Sequence, residues 1–235
     1  MRGFQLIIEG NWAHFKKPET NNNPLTHDFI TKTAIIGLIG AVSGIDRQKM
    51  KEIFPKLSDD LLYGVQLLNS VKKVSWGFSS RTAFKPSIKG APKYFEFLKK
   101  PKFLVSIALK NQESSDIFTN FKEAIKNDEA IYPPVLGWHN CPANLKYESE
   151  GEFSEIKQGD FTCKCFVEIP PLHNPQLTGT SGFRVGFEKI PTFQNNDFWN
   201  LPEKYKAVIY PDAGHELKIK GSYYEYSTGE KWWLI

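Results

Sequence analysis

Two helical stripes set among short apolar runs constrain this chain most. Ile35, Leu38, Ile39 and Val42 fall at i, i+3, i+4 and i+7, so residues 31–44 read as a helix with Gly44 just past its end. Ile117, Phe118, Phe121 and Ile125 mark a second helix over 115–127, capped by Ser115. Strand-length apolar runs lie at 3–10, 63–71, 102–110 and 143–148. Residues 46–54 read as a short helix stopped by Pro55, and Ser58 reads as an N-cap after it. The resulting order, β-α-β-β-α-β, is the ferredoxin-like, or RNA-recognition-like, α+β arrangement.

Residues 71–101 interrupt that plan. They are too long for a simple connection in a compact domain. Val74, Trp76 and Phe78 alternate along 73–78, and 93–98 can return as the partner strand. We read an inserted hairpin with its tip near 87–90, projecting because neither arm has a place in the sheet. From Lys72 to Lys102 the chain carries nine Lys/Arg and one acid, Glu96, interleaved with Trp76, Phe78, Phe84, Tyr94, Phe95 and Phe97. Beyond about residue 150 the pattern becomes short strands and turns. Residues 161–169 alternate as one strand, and 211–214 fit the tight turn of a hairpin. The expected division is 1–150, the ferredoxin-like domain, and 151–235, a small β-rich domain.

Charge is unevenly spread. Residues 1–110 hold 18 Lys/Arg against 8 Asp/Glu, or +10, and residues 111–235 hold 12 against 18, or −6. One half facing a polyanion accounts for this asymmetry, and so do two solvated faces of opposite sign. Cys141, Cys163 and Cys165 are odd in number and lack metal-ligand spacing, so reduced thiols, no metal and no cofactor are expected. No apolar run is long enough to span a bilayer, and the N-terminus lacks signal-peptide features, so a cytoplasmic protein with no membrane partner is expected.

The basic and aromatic hairpin is suited to single-stranded nucleic acid, because cations neutralise phosphates and aromatic faces stack on bases. A solvated hairpin with its own hydrophobic cluster is the alternative. The loop before the first helix offers donors from His14, Lys16, Lys17, Asn21, Asn22 and Asn23, and it leads to Thr31, Lys32 and Thr33 at a helix N-terminus that favours anions. Alternatively, this loop merely turns the chain. Thr33, Gly37, Gly40 and Gly44 form a further helix stripe. Each interior glycine costs about 1 kcal/mol against Ala, so another backbone is expected to pack closely there. Phosphate-loop, dinucleotide and hydrolase signatures are absent. His14 with Lys16 or Lys17, plus Tyr132 or His139, offers the parts of a metal-independent endoribonuclease. A small-ligand protein on the same fold is a third reading, disfavoured by the basic hairpin.

The segment GNWAHFKKPETNNNPLTHDFITKTAIIGLIGAVSGID, residues 10–46, resembles the N-terminal signature of the CRISPR-associated Cas five proteins of the RAMP superfamily, nearest to the type I-B (Hmari) branch. YPPVLGWHNCPANL, residues 132–145, resembles the second signature. The resemblance implies an RNA-recognition-like domain with a thumb hairpin, then a small β domain. It implies a non-catalytic subunit of a type I surveillance complex (Cascade) that holds the five-prime handle of the CRISPR RNA. Its partners would be that RNA, the repeated backbone subunit and the large subunit, with target DNA engaged indirectly. The runner-up is a repeat-RNA endoribonuclease. By resemblance the RNA is held by Trp12, His14, Phe15, Lys16, Lys17 and Asn21, with Thr31 and Lys32. The thumb would add Lys72, Lys73, Trp76, Arg81, Lys85, Lys89 and Lys93, and the loop at 136–139 would add Trp138 and His139. The glycine-rich segment at 179–186 departs from the family pattern.

Overall fold

The computed structural model describes residues 1–80, 90–169, 185–193 and 202–235. Among the described residues no helix is long and apolar enough to cross a membrane. The first core is a four-stranded antiparallel sheet of β1 (Arg2–Glu9), β3 (Leu61–Leu67), β6 (Lys102–Leu109) and β7 (Asn144–Glu152), in the order β3-β6-β1-β7. Its register sets Phe4 opposite Ile107, Leu6 opposite Val105 and Ile8 opposite Phe103. Alternation buries Phe4, Leu6 and Ile8 on one face, where they meet α1 (Lys32–Val42) and α3 (Ser115–Lys126). Phe4 lies 5.1 Å from Phe118 and 6.1 Å from Phe121. Each such side chain contributes roughly 1.5–3 kcal/mol on full burial.

Helix α1 forms where its stripe predicts. Thr31 Oγ1 accepts from Ala34 N at 3.3 Å, and Gly44, one residue beyond the C-cap Ser43, takes φ +69°. The glycine stripe behaves differently from expectation. A Cβ on Gly37 would meet nothing within 4 Å, while Gly40 faces the Met50 side chain and Gly44 that of Ile131. A Cβ on the stripe would therefore meet mainly side chains or open space, while backbone does reach this end of α1, where Ile131 N donates to Val42 O at 3.1 Å and Tyr132 N to Ala41 O at 3.0 Å.

Pro55 does not stop the second helix. α2 runs unbroken over Arg47–Asp60, with Asp46 capping Lys49 N at 2.9 Å. Burial of Phe54 and Leu57 on its inner side offsets the lost backbone bond. Ser58 is accordingly no cap; it is buried and donates to Thr192 O at 2.8 Å. The N-cap of α3 is Ser114, one residue before the expected Ser115, and its side chain makes no cap bond. Buried Asp60 instead accepts from Asn111 N at 2.6 Å and Ser114 N at 2.9 Å, tying the end of α2 to the start of α3.

The remaining strands are a β-rich region. β8 (Lys157–Cys163), β12 (Leu217–Glu225) and β13 (Lys231–Trp232) pair in the order β13-β12-β8, while β9 (Val167–Glu168), β10 (Val185–Phe193) and β11 (Lys204–Pro211) pair as β10-β11-β9. The expected continuous strand over 161–169 is broken. Cys163, Cys165 and Val167 face the second core, but Phe166 turns into the first, stacking 5.4 Å from Phe29 at 21° while Phe166 N bonds Val65 O at 3.0 Å. The turn at 211–214 joins two different sheets and closes no hairpin, since β11 pairs with β10 and β9 and β12 with β8 and β13. The β-rich region lies on the second face of the core sheet, where Leu62, Leu104 and Ala108 pack with Phe161, Ile219, Tyr226 and Trp232. Gln5 Nε2 crosses that contact to Glu230 at 3.0 Å. The whole is a mixed α+β fold, an RNA-recognition-like core with a β-rich region beside it.

Candidate nucleic-acid interface

The inserted hairpin is present. β4 (Lys73–Ser80) and β5 (Ala91–Lys99) pair from Lys73 opposite Leu98 to Ser80 opposite Ala91, and β2 (Trp12–Ala13) adds to β5 in a separate three-stranded sheet. Of the expected thumb residues, Arg81, Lys85 and Lys89 lie outside the described residues, as do Phe84 and most of the expected tip, and 179–184 of the glycine-rich segment.

One face of the hairpin is a packed aromatic cluster. Trp138 stacks on Phe95 at 4.9 Å and on Phe97 at 5.3 Å, each at 16°, and Trp12 meets Trp76 edge-on at 4.5 Å. Contacts of this kind add about 0.5–1.5 kcal/mol each beyond burial. Gly137 makes the cluster possible: its φ is +81°, and a Cβ there would collide with the His14 carbonyl. His14 N donates to Leu136 O at 3.0 Å. Trp12, His14, Trp76, Trp138 and His139 are thereby brought together at the thumb base. Much of the aromatic surface is spent on this cluster, while Trp76 and Tyr94 stay exposed.

His14 is buried, and its Nδ1 lies 2.7 Å from Glu96 O. Burial holds the imidazole below its usual range, against the pull of that carbonyl. Tyr132 is exposed beside the end of α1, where its N–H bonds Ala41 O at 3.0 Å, and His139 is exposed next to Trp138. Among the described residues no group of three His, Cys, Asp or Glu can hold a metal ion.

The cations divide into two sets. Lys73 is held by Asp28 at 2.6 Å, Glu96 at 3.3 Å and Thr26 O at 3.0 Å, and Tyr210 Oη donates to Asp28. Burial alone would lower the Lys73 ammonium, but these partners raise it. Lys17 pairs with Glu188 at 2.9 Å, and His27 Nδ1 meets the other Glu188 oxygen at 2.9 Å. Burial pushes the Glu188 carboxyl up, and its bonds to His27 and Lys17 outweigh that and hold it below the ordinary carboxylate range. Lys16 donates to Asn21 at 3.2 Å. Further bonds, Glu96 N to Pro24 O at 3.0 Å and Tyr94 N to Asn23 at 3.2 Å, clamp the loop over 14–28 along β5.

The second set is open. Lys72, Lys99 and Lys100 line a cleft of about 570 Å³ at the thumb root, with Asn69 and Ala213. Among the described residues none of the three lysines has a carboxylate partner. Lys100 takes a left-handed backbone, φ 50°, in the tight turn between β5 and β6, held by Asn69 Nδ2 to Lys100 O at 3.0 Å. Lys99 and Lys100 escaped selection from sequence, although the run Lys99, Lys100, Pro101, Lys102 was visible. Lys93 is half-buried on β5. Phe15 is buried in the core, 6.3 Å from Phe103, and Thr31 and Lys32 are buried at the start of α1, away from the cleft.

The sheet face on which RNA-recognition domains stack bases is covered here by the β-rich region. An RNA-recognition-like core, a basic and aromatic hairpin inserted in it and a β-rich partner region define a protein of the RAMP class. The family model described as CRISPR-associated protein (Cas_Cas5) matches residues 4–218, and the chain belongs to that family. A crystal structure of a CRISPR protein from Archaeoglobus fulgidus superposes with TM-score 0.59 at 16% identity, covering 99% of this chain and 98% of that one. A chain of a CRISPR RNA-guided surveillance complex gives 0.52 at 11%, covering 97% and 92%. A chain of a type III-B Cmr-beta complex bound to cognate target RNA gives 0.53 at 10%, covering 92% and 86%. No curated protein matches the sequence.

Proposed function

We propose that this protein is a non-catalytic, RNA-binding structural subunit of a type I CRISPR surveillance complex, cytoplasmic and of the type I-B branch. It holds the five-prime handle of the CRISPR RNA and caps the backbone filament, touching the first repeated subunit and the large subunit. The fold is a ferredoxin-like βαββαβ domain over 1–150 and a β-rich domain over 151–235. The observation that carries this reading is the thumb-root cleft. Three lysines without carboxylate partners among the described residues line an open groove, and Trp76, farther along the same hairpin, is 41% exposed. That pairing suits a phosphate backbone with stacked bases. Family membership and the likeness to a chain of an RNA-guided surveillance complex support it.

The test is RNA affinity by fluorescence anisotropy over a salt series, comparing wild type with the triple variant Lys72→Ala, Lys99→Ala, Lys100→Ala. For single-stranded RNA, the slope of log affinity against log salt should fall by about 0.7 for each phosphate that the variant no longer neutralises. An unchanged slope overturns the cleft as the RNA path. His14 offers the nuclease reading little, since its ring is buried and Nδ1 is already engaged.

A further inference from the structure

Strand edges in the core sheet and the thumb sheet are closed in different ways. In the core sheet, β3 is covered: Tyr63 N bonds Ile235 O at 3.1 Å, Ile235 N bonds Tyr63 O at 3.0 Å, and Phe166 N bonds Val65 O at 3.0 Å. β7, at the other end, is open but shielded. Its register with β1 shifts between Gln5 and Leu6, and Lys146, Glu148, Glu150 and Glu152 are exposed along it. An irregular register and exposed charges guard an edge against stray strand pairing. In the thumb sheet, the far side of β5 is covered by Trp12 and Ala13 of β2, and by the bonds of Glu96 N to Pro24 O and of Tyr94 N to Asn23. Among the described residues β4 has neither cover nor guard. It pairs with β5 from Lys73 to Ser80 without a register shift, and residues 74–80, VSWGFSS, hold no charge and no proline.

The register fixes which backbone groups are open. Lys99 N donates to Lys72 O at 2.8 Å, so Lys72 faces β5. Alternation then turns the N–H and C=O groups of Lys73, Ser75, Gly77 and Ser79 away from β5. The outward bonds of Tyr94 N and Glu96 N, opposite Gly77 and Ser75, obey the same alternation. The outward groups of β4 have no backbone partner among the described residues, and Ser75, Gly77 and Ser79 are exposed. Beside this row the Tyr94 ring lies across Gly77, where a Cβ would come within 3.3 Å of it, and the residue is 56% exposed. An apolar contact thus borders a regular series of donors and acceptors.

Such a row is matched by another extended backbone. A phosphate backbone can accept from the N–H groups but meets the C=O oxygens with like charge, so RNA does not fit this edge. Charge narrows the polypeptide further. Residues 71–95 hold six Lys/Arg and no acid, and Lys72, at the first end of the edge, makes no ion pair among the described residues. A second copy of this hairpin would bring the same cations and repel. We propose that the edge of β4 binds an extended segment of a partner protein as a further strand of the thumb sheet. That segment is acidic at the end that meets Lys72 and carries apolar residues at alternate positions, where they reach Tyr94. Pairing lies in the plane of the sheet and leaves the aromatic face free for other contacts. The proposal does not depend on the RNA reading, because its ligand is a polypeptide.

Amide hydrogen exchange of the full chain, read residue by residue, tests this. In the chain alone the inward N–H groups of Val74, Trp76 and Phe78 should be protected, and those of Ser75, Gly77 and Ser79 should exchange freely. The probe is a synthetic acidic peptide, two glutamates followed by alternating valine and threonine, with a counterpart in which lysines replace the glutamates. At saturation the acidic peptide should slow the outward amides by about tenfold or more, and the lysine peptide should not. Ser75→Pro deletes one outward N–H and spares the ladder with β5, so it should weaken the acidic peptide about tenfold, with protection at Trp76 retained. Lys72→Glu, at an exposed position, should reverse the preference between the peptides. Outward amides already protected in the chain alone, equal effects of the two peptides, or no effect of either overturn the proposal. Protection that grows with protein concentration as dimers form also overturns it, since the occupant is then a second copy. The thumb-root triple variant reads the RNA path separately: an unchanged salt slope there leaves this edge standing, and outward amides indifferent to the peptides leave the RNA path standing.

Discussion

Lys72 and Lys73 are neighbours in sequence with opposite fates. Lys73 is locked between Asp28 and Glu96, and Lys72 opens onto the thumb-root cleft. The same division separates the loop over 14–28, whose Lys17 serves Glu188, from the turn at 99–100, whose lysines make no ion pair among the described residues. A paired cation fastens the fold and has little attraction left for a ligand. An unpaired one at a groove is available. Basic residues along a thumb are therefore two populations, and only the tertiary structure sorts them.

The largest effect should come from breaking the paired set where it is most buried. Glu188→Ala strands Lys17 and His27 and should cost about 3 kcal/mol, read as a lower denaturant midpoint. Because the folded Glu188 carboxyl is depressed, its contribution is full above the unfolded carboxyl range and is lost as pH falls through the folded value. The variant should accordingly lose less stability than wild type on acidification below about pH 4.5. Gly137→Ala should follow at about 2 kcal/mol, from its left-handed φ and the collision with His14 O, measured by thermal melting. Lys73→Ala comes next, at about 1–2 kcal/mol because the pair is partly solvated, with the RNA salt slope unchanged. The thumb-root triple variant should show the reverse, a flattened slope and stability within about 0.5 kcal/mol of wild type. If Lys73→Ala also flattens the slope, the two populations are one. Smallest and opposite in sign, Gly37→Ala should stabilise by up to about 1 kcal/mol, since its Cβ meets nothing.

Sequence reading reached the elements whose signals are local. The stripes of α1 and α3, the apolar runs of β1 and β6 and the alternation of β4 all appear as expected. It failed where a distant partner overrides the local pattern. Pro55 is carried by the burial of its neighbours, and 161–169 breaks because Phe166 finds Phe29. The site divides in the same way. Aromatic residues at 12, 76 and 138 were visible, and their meeting at the thumb base depends on Gly137 fitting under His14. The acids that neutralise Lys17 and Lys73 lie too far along the chain, or on the wrong strand, for a local charge count to pair them.

Phe166 also has a consequence in time. Its ring packs on Tyr63 and Phe29, closing loops of roughly a hundred residues and more. Contacts of such long range form late, because the chain loses much freedom before they repay it. While 166 is unplaced, the apolar surfaces it joins stay wet, and that interval is when the chain is open to association with its own copies. A single aromatic residue in a strand break thus ties together segments far apart in sequence and is one of the long-range contacts that raise the contact order of the chain.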